Sequence, residues 1–265
     1  MKLAFSPCPN DTFVFHAWVH GLIEGAPPVD VTFADVDVTN TAALSGAFDV
    51  VKVSYAALPW LLDKYRLLPT GGALGHGCGP LVLTRDRRDP TDLAGARIAV
   101  PGEKTTAYLL FRLWSQAFAP AHIDVVPFEQ IMPGVAAGRF DAGLVIHEAR
   151  FTYREHGLTM LADLGQWWEH ETGHPIPLGA ILAKRELDAD RITRWIRASV
   201  EYAWKNPEAG AAYVAQHAQE MSSEVTRQHI DLYVNEFTAD LGTAGHAAVD
   251  SLLTRAADAG LVPRV

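Results

Sequence analysis

The sequence predicts an α/β protein of two lobes, and three observations carry that expectation. Short apolar runs alternate with amphipathic stretches of about ten residues, the rhythm of βαβ units with parallel neighbouring strands. A glycine-rich stretch at 70–80 interrupts the rhythm, which restarts at Arg97. Beyond residue 188 the pattern is helical to the end, with no strand candidate.

Lys2–Phe5 reads as a strand and Thr12–Ile23 as a helix, with Asn10 or Asp11 near its N-cap. Val29–Val36 alternates with period two, and Thr39–Gly46 carries a short helical pattern. Asp49–Tyr55 is mostly apolar behind a polar start, as expected of a buried strand. Thr70–Pro80 reads as a loop, and Leu81–Thr84 as a strand after it. The second series runs through strand Arg97–Val100, helix Thr105–Phe118, strand Ile123–Val126, helix Glu129–Ala137 and strand Asp141–Ile146. Leu178–Ala183 is a further buried-strand candidate. The tail reads as helices at Asp190–Lys205, Pro207–His217, Ser223–Phe237 and Thr243–Ala259. Strands near 81–84 and 178–183 join the two series. The expected division is 1–82 with 184–265 in one lobe and 83–183 in the other. Helices without a sheet of their own need an apolar face, so the tail must cover a lobe. A ligand would then sit in the cleft between lobes, where strand ends and helix starts converge.

Composition narrows the function classes. The 265 residues are 49% hydrophobic and 20% charged, which excludes a disordered chain. A formal charge of −9 without a basic run argues against nucleic acid or an anionic membrane as partner. Two cysteines, Cys8 and Cys78, make no disulfide framework. The N-terminus lacks the apolar core of a secretory signal, and no run approaches the ~20 apolar residues of a membrane span. The expectation is a cytoplasmic protein with reduced thiols that takes a small anionic ligand; a homodimer stays open.

Polar residues gather at the strand ends that would face the cleft. Asn10 and Asp11 follow the first strand and would either bind a ligand or cap the helix. Lys52 lies inside an apolar run, so it must reach an edge or meet a partner; Ser54 follows it. Thr105 and Thr106 open a helix, where hydroxyls and free N–H groups suit a carboxylate or phosphate, and where capping competes. His147 ends the strand Asp141–Ile146 and precedes Glu148. An imidazole of ordinary pKa near ~6.5 at that position is a proton acceptor or a structural histidine.

Other motifs carry less. His170-Glu-Thr-Gly-His174 matches the H-E-x-x-H zinc pattern, but Gly173 breaks the helix that pattern needs and prolines follow. His16 and His20 share a helix face without a third convergent ligand. Trp167 and Trp168 read as lobe packing or a cleft wall. Walker, dinucleotide-binding and G-x-S-x-G motifs are absent.

Six blocks carry a resemblance: SPCPNDTFVF (6–15), VKVSYAAL (51–58), GGALGHGCGPL (71–81), GEKTTAYLL (102–110), DAGLVIHEARFTY (141–153) and PLGAILAKREL (177–187). In this order they resemble the 1,4-dihydroxy-6-naphthoate synthase family of the futalosine route to menaquinone. The resemblance implies the two-lobed fold of type II periplasmic binding proteins, with mixed sheets and an interlobe cleft. It also implies a lyase acting on cyclic dehypoxanthinylfutalosine without metal or organic cofactor. His147 would be the proton acceptor, and Lys52, Ser54, Thr105 and Thr106 would line the substrate; Asn10 and Asp11 fall in the opening block with a less defined role. Chorismate dehydratases, related in fold and pathway, match the first and fifth blocks less well. The competing class is a solute-binding or regulatory protein of the same fold.

Overall fold

In the computed structural model, which describes residues 1–118, 122–147, 149–218 and 222–265, the chain begins with β1 (Lys2–Phe5). It continues through α1 (Pro9–Val19), β2 (Asp30–Phe33), α2 (Val36–Ala43), β3 (Val50–Ser54) and the long strand β4 (Tyr65–Gly75). β5 (Leu81–Thr84), β6 (Arg97–Val100), α3 (Thr106–Trp114), β7 (His122–Val125), α4 (Phe128–Ala136) and β8 (Ala142–Val145) follow. Then come α5 (Ala149–Thr152), β9 (Thr159–Asp163), α6 (Leu164–Thr172) and β10 (Ile176–Lys184). The tail holds α7 (Ala189–Lys205), α8 (Ala211–His217), α9 (Ser223–Tyr233), α10 (Glu236–Ala239) and α11 (Gly242–Asp258).

Two five-stranded mixed sheets result, ordered β2-β1-β3-β10-β4 and β7-β6-β8-β5-β9. In the first, β1 is parallel to β2 and β3, while β10 runs antiparallel between β3 and β4. In the second, β6 is parallel to β7 and β8, and β5 runs antiparallel between β8 and β9. Strand pairing moves the expected division of the chain. Residues 81–82 pair in the second sheet, and 176–183 pair in the first as the middle of an antiparallel ladder.

The stretch expected as a loop at 70–80 is mostly strand. Its glycines mark close approach, because a Cβ on Gly72 would stand 2.6 Å from the Gly179 carbonyl oxygen of β10. Small residues there let two backbones pair with a shifted register. β9 and α6 have no counterpart in the sequence reading. α6 buries Leu164, Gly165 and Trp168 and exposes most of its polar residues, so little apolar period is visible. The tail helix expected at Ser223–Phe237 breaks after Tyr233, where Asn235 accepts from the Phe237 N–H at 3.0 Å and starts α10.

The tail covers the first sheet, with α7 packed on α1 and β4 and α11 on β10. One core cluster runs through both sheets and includes Val53, Leu74, Val82, Ile98, Leu144, Trp168 and Leu252. A second buries Leu3, Phe5, Phe15, Trp18, Ile181 and Ile196 beneath α1 and α7. Among the described residues no helix is long and apolar enough to cross a membrane.

Candidate active site

Helix α1 starts earlier than the sequence suggests. Cys8 is its N-cap and Pro9 occupies the first helical position, where a missing N–H costs nothing. Asn10 and Asp11 therefore lie in the first turn, and neither is the cap. Both are buried. Asp11 accepts from the Ser6 hydroxyl at 2.8 Å and from Asn10 Nδ2 at 2.9 Å, and it pairs with the Lys52 ammonium. Lys52 sits on β3, in the middle of its sheet, so edge placement is overturned and the alternative of a partner holds. An isolated charge at this depth is prohibitive, and the pair plus its donors makes it tolerable. The site gains no net positive charge from Lys52.

Ser54, on the same face of β3 as Lys52, and the start of α3 extend the lining. Asn40 on α2 accepts from the Ser54 N–H at 2.8 Å and donates to the Ser54 hydroxyl at 3.1 Å. Its Nδ2 also reaches the Lys104 carbonyl at 3.3 Å, joining the first sheet to the loop that enters α3. Thr105 is the N-cap of α3: its hydroxyl accepts from the Tyr108 N–H at 3.2 Å and donates to the Gly102 carbonyl at 2.7 Å. The Thr106 hydroxyl bridges the lobes, accepting from the Ala56 N–H at 3.3 Å and donating to the Leu178 carbonyl at 2.9 Å. A helix start aimed at a cleft is an anion site by its dipole and its free N–H groups.

His147 follows β8 and is the one non-glycine residue with positive φ among those described, at 56°. Such a conformation is uncommon for a side chain with a Cβ and is characteristic of functional positions. Burial holds its imidazole below the ordinary 6.5, at about 4; Asp11 opposes this shift and Lys52 adds to it. The ring is neutral at physiological pH. It stands edge-on to Phe128 at 5.8 Å and nearly parallel to His229 at 6.1 Å. His229, on α9, is fully buried and lies 3.0 Å from Asn10 Oδ1. Burial, then His147, then Lys52 keep its pKa well below the ordinary value.

All seven sequence candidates line one cavity: Asn10, Asp11, Lys52, Ser54, Thr105, Thr106 and His147. Sequence reasoning missed Asn40 and His229. His229 follows half-buried Val225 and precedes buried Tyr233 at spacings of four on α9, so a histidine in an apolar period was the available signal. Asn40 offered none. Cys78 also lines the cavity, and burial pushes its thiol up to about 12, which leaves it protonated and unreactive. Glu148 lies outside the described residues. His170 is in the last turn of α6 and His174 lies past Gly173, whose φ of 69° ends the helix, so the two do not share a helical face. Trp168 is a core residue whose indole donates to the Pro175 carbonyl at 3.1 Å.

Comparison with known proteins places this site in context. The sequence signature of a menaquinone-biosynthesis family matches residues 1–258. The 1,4-dihydroxy-6-naphthoate synthase of Streptomyces coelicolor is 61% identical, covering 99% of this chain and 95% of that protein. The Thermus thermophilus enzyme of the same name is 47% identical over 98% and 95%. A crystal structure of an Archaeoglobus fulgidus protein superposes with a TM-score of 0.92 at 32% identity, covering 98% of each chain. The periplasmic aliphatic sulphonate binding protein of Escherichia coli shares the fold, with a TM-score of 0.68 at 13% identity over 100% and 89%. On the matched signature and the two relatives aligned over nearly their whole length, the chain belongs to the 1,4-dihydroxy-6-naphthoate synthase family of menaquinone-biosynthesis enzymes.

Proposed function

We propose that the chain is a lyase converting cyclic dehypoxanthinylfutalosine to 1,4-dihydroxy-6-naphthoate, with His147 as the base. The observation that carries this reading is a neutral imidazole at the cavity wall with neither ring nitrogen bonded to a described residue. Such a group takes a proton without first losing one. The electron pair of the broken C–H bond forms a π bond of the second ring. That ring becomes aromatic as the sugar-derived fragment departs with the pair of its own bond and takes up a proton. Aromatisation drives the step, so the protein's work is to orient the substrate, accept the proton and exclude water.

The substrate carboxylate is read at the start of α3. Lys52 is already compensated by Asp11, so backbone N–H groups and the Ser54 hydroxyl supply the attraction. Asn40 and Thr106 tie the two lobes across the same spot. Incubation of the protein with cyclic dehypoxanthinylfutalosine tests the reading directly. Dihydroxynaphthoate should form, and His147→Ala should lose about 10²–10⁴ in rate while still binding. Binding without turnover in the unaltered protein would instead mark a solute-binding or regulatory member of the fold.

A further inference from the structure

The orientation of the His147 ring rests on ring contacts. A general base is ordinarily held by a hydrogen bond to its other nitrogen, and no described residue supplies one here. Among the rings of the described residues, His147 meets the edge of Phe128 and the face of His229. His229, by contrast, is anchored. Asn10 Nδ2 donates to Asp11, so Asn10 Oδ1 is the acceptor facing His229, and the His229 Nε2–H donates to it at 3.0 Å. Asp11 is fixed in turn by Lys52 and Ser6. Tyr233 backs the His229 ring at 4.6 Å. The remaining nitrogen, Nδ1 of His229, is buried without a partner among the described residues. With Nδ1 unpaired and Nε2 turned to Asn10, what His229 offers to His147 is its ring face and not a hydrogen bond.

We propose that His229 is a positioning residue for His147, its anchored ring the platform that holds the His147 imidazole towards the cavity with both nitrogens open to substrate. The inference rests on His147 acting as the base. It separates two duties that one hydrogen-bonded partner usually combines. The stack sets the orientation, and both nitrogens of the base stay available, one for the proton and one for a substrate polar group.

Two variants separate the platform from a merely structural role. His229→Gln keeps a donor for Asn10 and removes the ring; His229→Phe keeps a ring and removes the donor. His229→Gln should lower kcat by about 10–100-fold with KM within about threefold, and His229→Phe should recover to within about fivefold of the unaltered enzyme. Long-range proton–nitrogen spectra of the histidine rings give a readout independent of turnover, the His147 signals being identified by their loss in His147→Ala. One set of His147 signals is expected in the unaltered protein and in His229→Phe, and shifted or doubled signals in His229→Gln. Unchanged kcat in His229→Gln, KM rising in step with the loss, or His229→Phe no better than His229→Gln would each overturn the proposal. So would His147 signals that ignore both substitutions. Full turnover by His147→Ala would remove the reading beneath it, a failure distinct from any of these.

Discussion

Lowering the pH titrates the His147 imidazole, and burial moves that titration far from where an exposed histidine would have it. The folded value is about 4 against an ordinary 6.5, with burial as the main cause, Asp11 opposing and Lys52 assisting. With His147 as the proposed base, only the neutral ring accepts a proton, and kcat/KM for the free enzyme should follow the neutral fraction. At pH 5 that fraction is about 0.9 for a pKa near 4 and about 0.03 for one near 6.5, a roughly thirty-fold difference in rate. Stability moves in the same sense. Between about pH 6.5 and 4 the unfolded chain holds a proton on His147 that the folded chain does not, so the unfolded state gains as pH falls. The full contribution is present above 6.5 and is lost by about 4, and that gap corresponds to roughly 3 kcal/mol. Steady-state rates of dihydroxynaphthoate formation across this range measure the limb. Asp11→Asn should move it to lower pH, since Asp11 holds the value up, and Lys52→Met should move it to higher pH. Urea denaturation at both ends of the window should show less loss of stability in His147→Ala. A limb centred near 6.5 would refute the argument that burial keeps this base neutral.

Lys52→Met leaves the Asp11 carboxylate buried without its cation; a loss of about 3–5 kcal/mol is expected in urea denaturation at neutral pH, and less than about 1 would contradict the pairing. Thr106→Val keeps the shape and removes the hydroxyl between Ala56 and Leu178. Calorimetric titration should show substrate binding weakened by about 1–3 kcal/mol, and unchanged affinity would count against the bridge. Gly79→Ala would place a methyl 2.3 Å from the Gly165 backbone at the start of α6. A thermal scan should report about 1–3 kcal/mol of destabilisation, because backbone and not a flexible side chain stands in the way. Exhaustive chelation should leave the rate unchanged; activity restored only by added zinc would return His170 and His174 to consideration.

Which parts of this site were legible follows from where the signal resides. β1, β3 and β8 are short apolar runs that end in polar residues, so both the strands and the residues at their C-terminal ends could be located from sequence. Lys52 drew notice because a charge inside such a run violates the pattern, and the violation marked a buried pair. β4 was illegible for the opposite reason. Its glycines serve sheet packing against Gly179 and Ile181, and in sequence they are indistinguishable from turn glycines. Local composition reports conformational freedom; it does not report which backbone approaches from 100 residues away.

The same limit explains why the partner of His147 stayed hidden while His147 did not. His147 announces itself by position, at the end of an apolar strand. His229 lies 82 positions later on a helix of the tail, and its role depends on Asn10 and His147 meeting it from two other elements. Nothing local distinguishes it from a core residue except that it is a histidine in the period of four that runs from Val225 to buried Tyr233. The tail therefore does more than cover the first sheet. By delivering α9 to the cleft it supplies the ring that stacks on His147, and α1 anchors that ring through the turn that also holds Lys52. A substitution on α1 that pushes the His229 ring out of its stack should consequently be felt at His147, with kcat falling before KM rises.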